Sequence, residues 1–459
     1  PNEVKFGYAT TTTNLMVSDH NWQFMGKSTD TAQPMMVPRG KATGGSSAIN
    51  GVWFLRGVPE DYDAWASMGN DQWNFEKLMP YFRKMETDTD FSDDFHGTDG
   101  PIIVRRFKED DWLPAQSAFK NACMAAGYPL SPDMNNPDST GLSPFPANNP
   151  NGIRWSTAIG YLGLSRHRLN LTIRPNCTTH RVIFEGKRAV GVEVESGGEK
   201  FTVYGDEIIL SAGAIGSPHI MMLSGVGPAA HLTEIGIPVV HDLPGVGQNL
   251  RDHPAVGVTW KTKPDVKLDR FAPRTQIGLR YTAEGSDLRN DMLIAMGSYA
   301  AEGVNRGDGW MEEALGIRMT VALYLAVGAG EMTLQSTDPN QQPFLDFNYL
   351  QEEFDRRRMR EGVHKAVELA RHPDYQALVE ELIEPLESDM ASDDALDEWL
   401  RREATTGHHI SGTAKMGPAS DNMAVVDQFG RVHGMESIRV VDASVMPNCI
   451  RANTNVTTM

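Results

Sequence analysis

Residues 407–459 constrain this chain more than any other stretch. They hold two polar clusters, His408-His409-Ile410-Ser411-Gly412-Thr413 and Asn453-Thr454-Asn455. Between them runs a strand-like segment ending in an acid, Ser437-Ile438-Arg439-Val440-Val441-Asp442, then Ala443-Ser444-Val445-Met446-Pro447. A buried strand that delivers polar side chains on both flanks makes the floor of an active site. On this reading His409 and Asn453 face one reacting atom, and the rest of the chain builds a cradle or a wall around it.

Three earlier stretches have the composition of a cradle. Pro38-Arg39-Gly40-Lys41-Ala42-Thr43-Gly44-Gly45-Ser46-Ser47-Ala48-Ile49-Asn50-Gly51 is dense in glycine and hydroxyls. Glycine lets the backbone approach a ligand closely, and free N–H groups and hydroxyls hold phosphate or a polar ring edge. Glu207-Ile208-Ile209-Leu210-Ser211-Ala212-Gly213-Ala214 reads as a central strand ending in small residues. Ser217-Pro218 then offers an N-cap with proline at the first helical position, for a helix over His219–Leu223. Strand, small turn and helix N-terminus are the ingredients of an anion or dinucleotide site. Pro244-Gly245-Val246-Gly247-Gln248-Asn249-Leu250-Arg251-Asp252-His253 is a further tight polar turn, too short to be a phosphate fingerprint by itself.

A chain of 459 residues exceeds what one core usually supports, so two domains are expected. Its 42 basic and 60 acidic residues give a formal charge of −18, which argues against nucleic acid or an anionic membrane as partner. No apolar run reaches the roughly 18 residues of a membrane-spanning helix. Cys123, Cys177 and Cys449 are odd in number and far apart, so they form neither a disulfide framework nor a zinc knuckle. They point to a reduced, cytoplasmic compartment, with Cys449 a buried free thiol rather than a nucleophile. The first residue is Pro1 and no apolar signal region follows, so processing or truncation is expected to have removed what came before.

Coarser patterning fills in the elements. Residues 1–26 read as extended or loop. Short helical pieces fall at 61–65 and 74–82, the second kinked or restarted at Pro80. Residues 101–104 form a strand, and 88–98 an acidic loop in which His96 is solvated. A helix over 112–126 ends at Gly127, and residues 131–152, rich in Pro, Asn and Asp, form a long loop suited to a pocket wall. Strands at 171–173, 181–184, 189–194 and 201–204 make an antiparallel meander. Strand-like runs recur between 258 and 327. Residues 357–371 and 394–402 are amphipathic helices, the first with Met359, Val363, Ala366, Val367 and Ala370 on one face.

Taken in order, these stretches resemble the glucose–methanol–choline oxidoreductase family of flavoproteins. The stretch from Pro38 through Gly44-Gly45-Ser46-Ser47 to Asn50-Gly51 matches one family signature, and Gly213 to Pro228 a second. Gly245 to His253 matches a third landmark. His409-Ile410-Ser411-Gly412-Thr413-Ala414-Lys415-Met416-Gly417, Val440 to Ser444 and Asn453-Thr454-Asn455 match the C-terminal part. The resemblance implies FAD as cofactor and oxidation of an alcohol to an aldehyde or ketone. His409 corresponds to the residue that accepts the substrate's hydroxyl proton, and Asn453 to its partner on the same oxygen. A base with pKa near neutrality suits that transfer. Arg39, Gly44, Gly45, Ser46, Asn50, Gly51, Thr179, Ala212, Asp442, Ala443, Asn453 and Thr454 are the positions it places along FAD, and no metal is implied. Some relatives attach the flavin through a histidine where this chain has Ile49, so FAD is expected to bind non-covalently.

The fold expected is a mixed α/β one. An FAD-binding part uses residues 1–51, 168–254 and 405–459. A substrate part built on an antiparallel sheet uses 52–167 and 255–404. The family opens with a strand, a Gly-x-Gly-x-x-Gly turn and a helix, over roughly 30 residues. Nothing before Pro38 resembles that unit, and the helix expected after Met459 is also missing. The expectation is a partial chain, or a missing segment supplied as a separate chain. The substrate is a small-molecule alcohol, choline being conceivable from the acidic balance, and the electron acceptor is dioxygen or another acceptor. Two other readings stay open: a flavin-containing lyase acting on cyanohydrins, which keeps the histidine but transfers no hydride, and a truncated, flavin-free relic.

Overall fold

The computed structural model describes residues 19–269, 272–301 and 314–459. The extended chain expected over residues 1–26 therefore lies outside the described residues as far as residue 18. Beyond it, Phe24–Gly26 pairs antiparallel with Met35–Val37. The architecture is mixed α/β, as expected. Its centre is a seven-stranded sheet in the order Val379–Glu384, Pro254–Thr262, Ala314–Leu323, Met292–Ala301, Ile277–Tyr281, Gly141–Pro144, with Thr405–Thr406 also pairing Pro254–Thr262. All of these pairings are antiparallel.

The inner strands are buried along almost their whole length, so they read as continuous apolar runs rather than alternating ones. The Glu353–Leu369 helix packs on Ala314–Leu323, and the Pro114–Ala125 helix on Met292–Ala301. The first approaches the sheet at Gly362, where a Cβ would lie 2.5 Å from Val321 Cγ1. Thr178–Glu185, Arg188–Ser196 and Glu199–Tyr204 form the expected meander. Ile208–Leu210 runs parallel to Ile438–Val440, which brings the late strand beside the second signature. No described helix is long and apolar enough to cross a membrane.

Several expectations need correction. Leu171–Ile173 is not a strand: Leu171 N–H donates to the Arg168 carbonyl across a turn, and Thr172 is exposed. The second-signature helix spans Gly213–Leu223, so Ser217 and Pro218 lie inside it instead of capping it. Pro218 has no N–H to offer the carbonyl four residues back. The Thr413 hydroxyl supplies the donor to that carbonyl, on Ala214, at 2.6 Å. Phe75–Met85 likewise continues through Pro80. The loop at 131–152 contributes an edge strand, Gly141–Pro144, to the main sheet. Its Gly-Leu-Ser-Pro sequence has no hydrophobic alternation to announce it.

His96 is the largest departure. Expected in solvent, it is 1% exposed. Its Nδ1 lies 3.1 Å from both Glu86 Oε1 and Asp88 Oδ2, and its Nε2 3.0 Å from Asp133 Oδ2. Arg56 pairs with Glu86 at 2.6 Å, and Arg106 with Asp88 and Asp133 at 2.8 and 2.5 Å. Three carboxylates and three cations thus balance inside the wall of the molecule. Asn135, two residues from Asp133, bonds Phe54 and Arg56 just after the first signature, so the cluster ties the 131–152 loop to that stretch.

Candidate active site

His409 and Asn453, 44 positions apart, meet directly: the amide Nδ2 donates to His409 Nε2 at 2.6 Å. Asn453 is placed at the start of the Thr454–Thr458 helix. The loop carrying His409 is stitched to residues 251–253 by backbone bonds, Arg251 and Ser411 exchanging two and Gly407 N–H donating to the His253 carbonyl. His409 Nδ1 lies 2.8 Å from His253 Nδ1, and His253 Nε2 lies 2.9 Å from the Ile450 carbonyl. Asp252 anchors both imidazoles through their backbones: its Oδ1 accepts the N–H of His253 and of His409, each at 2.8 Å. Its other oxygen accepts from Tyr349 Oη and Thr406 Oγ1.

Burial pushes His253 down to about 4. Burial also holds His409 well below the usual imidazole range, helped by the neighbouring His253, His408 and Arg39. Both are therefore neutral at pH 7, the state in which an imidazole accepts a proton. His408 has a φ of +68° and is exposed by surface area. Desolvation by surrounding protein, with Arg39, pushes it down to about 4. Cys449 is a buried free thiol, as expected, and burial raises it to about 12.

The first signature forms a cradle. Gly44 and Gly45 have φ of +95° and +53°. Ser47 Oγ donates to the Gly44 carbonyl at 2.6 Å and lies 2.9 Å from Thr157 Oγ1. Asn50 Oδ1 accepts from Arg154 Nη1 at 2.6 Å and from Val52 N–H at 3.0 Å. Ser46 Oγ accepts from Gly40 N–H at 3.2 Å, next to Arg39. Gly45, Ser46 and Gly51 are exposed, and nothing lies within 4 Å of a Cβ built on Gly45 or Gly51.

Asp442 ties the second signature to the C-terminal one. Its Oδ2 accepts from Gly213 N–H at 2.9 Å and from Ser217 Oγ at 2.5 Å, and its Oδ1 from Ser444 N–H and Oγ. Ala212 N–H donates to Ser217 Oγ, and the Ala443 carbonyl accepts from Gly412 N–H. Thr179 pairs with Val194 in the meander, whose first strand packs on the Gly213–Leu223 helix. Thr454 opens the last helix. The sequence reading assigned no role to Asp252, His253, Arg154 or Tyr349. Asp252-His253 closes the third landmark, but nothing local says that it meets a histidine 156 positions away.

An imidazole and an amide in direct contact, with Arg39 of the first signature close enough to act on His409, bring the early and late motifs into one region, and the class of protein follows from the families that share them. The GMC oxidoreductase family model matches residues 7–255 and 326–459. An oxygen-dependent choline dehydrogenase 1 of Chromohalobacter salexigens is 38% identical over 452 residues, 93% of this chain and 80% of that one. One of Escherichia coli is 37% identical, with the same two coverages. Pyridoxine 4-oxidase from Mesorbium loti superposes with a TM-score of 0.88 at 25% identity, over 96% of this chain and 86% of that one. The formate oxidase of Aspergillus oryzae shares the fold, with a TM-score of 0.88 at 24% identity, over 100% of this chain and 89% of that one. This chain belongs to the GMC oxidoreductase family, FAD-dependent enzymes acting on CH–OH groups.

The residues fit a flavin. The exposed backbone at Gly45 and Gly51 leaves room for a ring that side chains would fill. Asn453 Oδ1 and Asn455 Nδ2 are buried with no hydrogen-bond partner among the described residues, a state polar atoms keep where a ligand satisfies them.

Proposed function

We propose that this enzyme oxidises a small alcohol to the aldehyde or ketone, with His409 as the base and Asn453 as the orienting amide. The observation that carries the reading is the 2.6 Å contact between Asn453 Nδ2 and His409 Nε2. An alcohol oxygen entering at that point gives its proton to Nε2 and accepts a hydrogen bond from the amide. Removing the hydroxyl proton as the C–H bond breaks avoids a high-energy protonated carbonyl. His409 has the free lone pair this needs, although burial holds it below the near-neutral pKa expected from the sequence. Asn453 orients the oxygen without competing for the proton. Residues 39–51 and 442–443 would hold FAD, which supplies the hydride acceptor when bound. Thr179, Ala212 and Thr454 complete its surroundings, with residues 1–51, 168–254 and 405–459 as the FAD-binding part and 52–167 and 255–404 as the substrate part. With Ile49 where some relatives attach the flavin, the cofactor is held non-covalently.

Choline is the first candidate substrate and dioxygen the first candidate acceptor; the likeness to oxygen-dependent choline dehydrogenases supports both. Anaerobic mixing of the enzyme with choline and with aliphatic, aromatic and sugar alcohols tests the reading, because an oxidised alcohol bleaches the flavin. A cyanohydrin lyase would leave the flavin oxidised with every alcohol. His409→Ala should slow reduction by at least about a hundredfold, the lower end for a general base. An unchanged rate would remove His409 from that role.

A further inference from the structure

The hydrogen bonds that end on His409 decide which of its nitrogens carries the proton. They begin at the Ile450 carbonyl, which only accepts, so His253 Nε2 at 2.9 Å must carry a hydrogen. A neutral His253 then has its lone pair on Nδ1. His409 Nδ1 is 2.8 Å from that atom, and the hydrogen between the two nitrogens therefore belongs to His409. The lone pair of His409 is left on Nε2, which is the nitrogen that Asn453 approaches as a donor. The amide assignment and the backbone carbonyl, at opposite ends of the chain of bonds, require the same tautomer. Two contacts hold His253 in this orientation. Its ring stacks on Tyr324 with centroids 4.5 Å apart, and its backbone N–H is bound by Asp252.

On the reading of His409 as the base, we propose that His253 is a positioning residue for the reaction: its Nδ1 keeps the His409 proton on Nδ1 and so makes Nε2 the base. The opposite tautomer would point an N–H at the substrate oxygen, with no base to take its proton. Once Nε2 has accepted the hydroxyl proton, His409 is a cation, and its Nδ1–H bond to His253 becomes charge-assisted and stronger. The other titratable or charged groups around the pair are Asp252, His408, Arg39, Tyr324 and Cys449. Burial keeps His253 neutral, at about 4, so it remains an acceptor through the working pH range.

The tautomer can be read directly by ¹⁵N NMR of the histidine-labelled, FAD-loaded enzyme at pH 8, the His409 signals being assigned by their loss in His409→Gln. Wild type should show His409 protonated on Nδ1. His253→Phe keeps a ring against Tyr324 but removes the acceptor, whereas His253→Gln keeps an acceptor. With choline as reductant, or benzyl alcohol if choline does not reduce the wild type, His253→Phe should slow flavin reduction by roughly a hundredfold. His253→Gln should stay within about tenfold of wild type, since an acceptor for the Nδ1 proton survives. A wild-type His409 protonated on Nε2, or a wild-type rate in His253→Phe, overturns the inference. A wild-type rate in His409→Ala instead removes the base assignment, so the two failures are told apart. If His253→Phe takes up no FAD, the wild-type tautomer and His253→Gln decide.

Discussion

Replacing His96 with Gln tests the buried charge cluster, because it removes one cation and keeps the size and hydrogen-bonding reach of the ring. Glu86, Asp88 and Asp133 are at most 6% exposed and face Arg56, Arg106 and His96. Burial alone would lower the His96 imidazole, but Asp133, Asp88 and Glu86 outweigh it and hold it at about 11. Asp88 and Asp133 are held below their ordinary range by His96 and Arg106, against burial. With His96 gone, three carboxylates share two guanidinium groups, and breaking a buried pair costs about 3–5 kcal/mol. The sign of the pH dependence follows from the raised imidazole. Its stabilisation is fully present below the unfolded value of about 6.5 and is lost as pH rises toward 11, because the native state holds the proton that the unfolded state releases. Stability should therefore fall in wild type by up to about 1.4 kcal/mol per pH unit above neutrality, and not in His96→Gln. Between pH 7 and 9 the gap between the two proteins should close by about 2–3 kcal/mol. Denaturant unfolding of the FAD-loaded enzymes, followed by tryptophan fluorescence at several pH values, measures this. A difference below about 1 kcal/mol at pH 7, or a gap that stays constant with pH, would refute a charged, balanced cluster.

Asp252→Asn presents one oxygen where four donors converged on two. Leaving two buried donors unsatisfied should cost about 2–5 kcal/mol, and alcohol-driven flavin reduction should slow as His409 loses its anchor; equal denaturation midpoints would contradict this. Ile49, at the position where some relatives carry the attaching histidine, is buried, so acid precipitation should release all of the FAD into the supernatant, and yellow colour kept in the pellet would show a covalent bond.

Much of the scaffold was legible because it is written in local patterns. The helices Glu353–Leu369 and Asp393–Glu403 follow from apolar residues recurring every three or four positions. The meander follows from strands cut by glycine turns. The motif order led to His409 and Asn453, which the structure brings within 2.6 Å of each other. The misreadings came where a distant residue overrode a local rule. Pro218 sits inside a helix because Thr413 supplies the missing donor. Gly141–Pro144 is a strand because Ile277–Tyr281 lies beside it. His96 is buried because Asp133 and Arg106 arrive to balance it.

The sequence alone therefore determined which residues are chemically equipped to act: an imidazole, an amide and a glycine-rich loop each carry that capacity wherever they lie. On the proposal that His409 is the base, only the tertiary structure could choose between its two nitrogens. That choice passes through His253 to the carbonyl of Ile450, and a carbonyl's power to accept but never donate has direction only once folding has set the atoms in line.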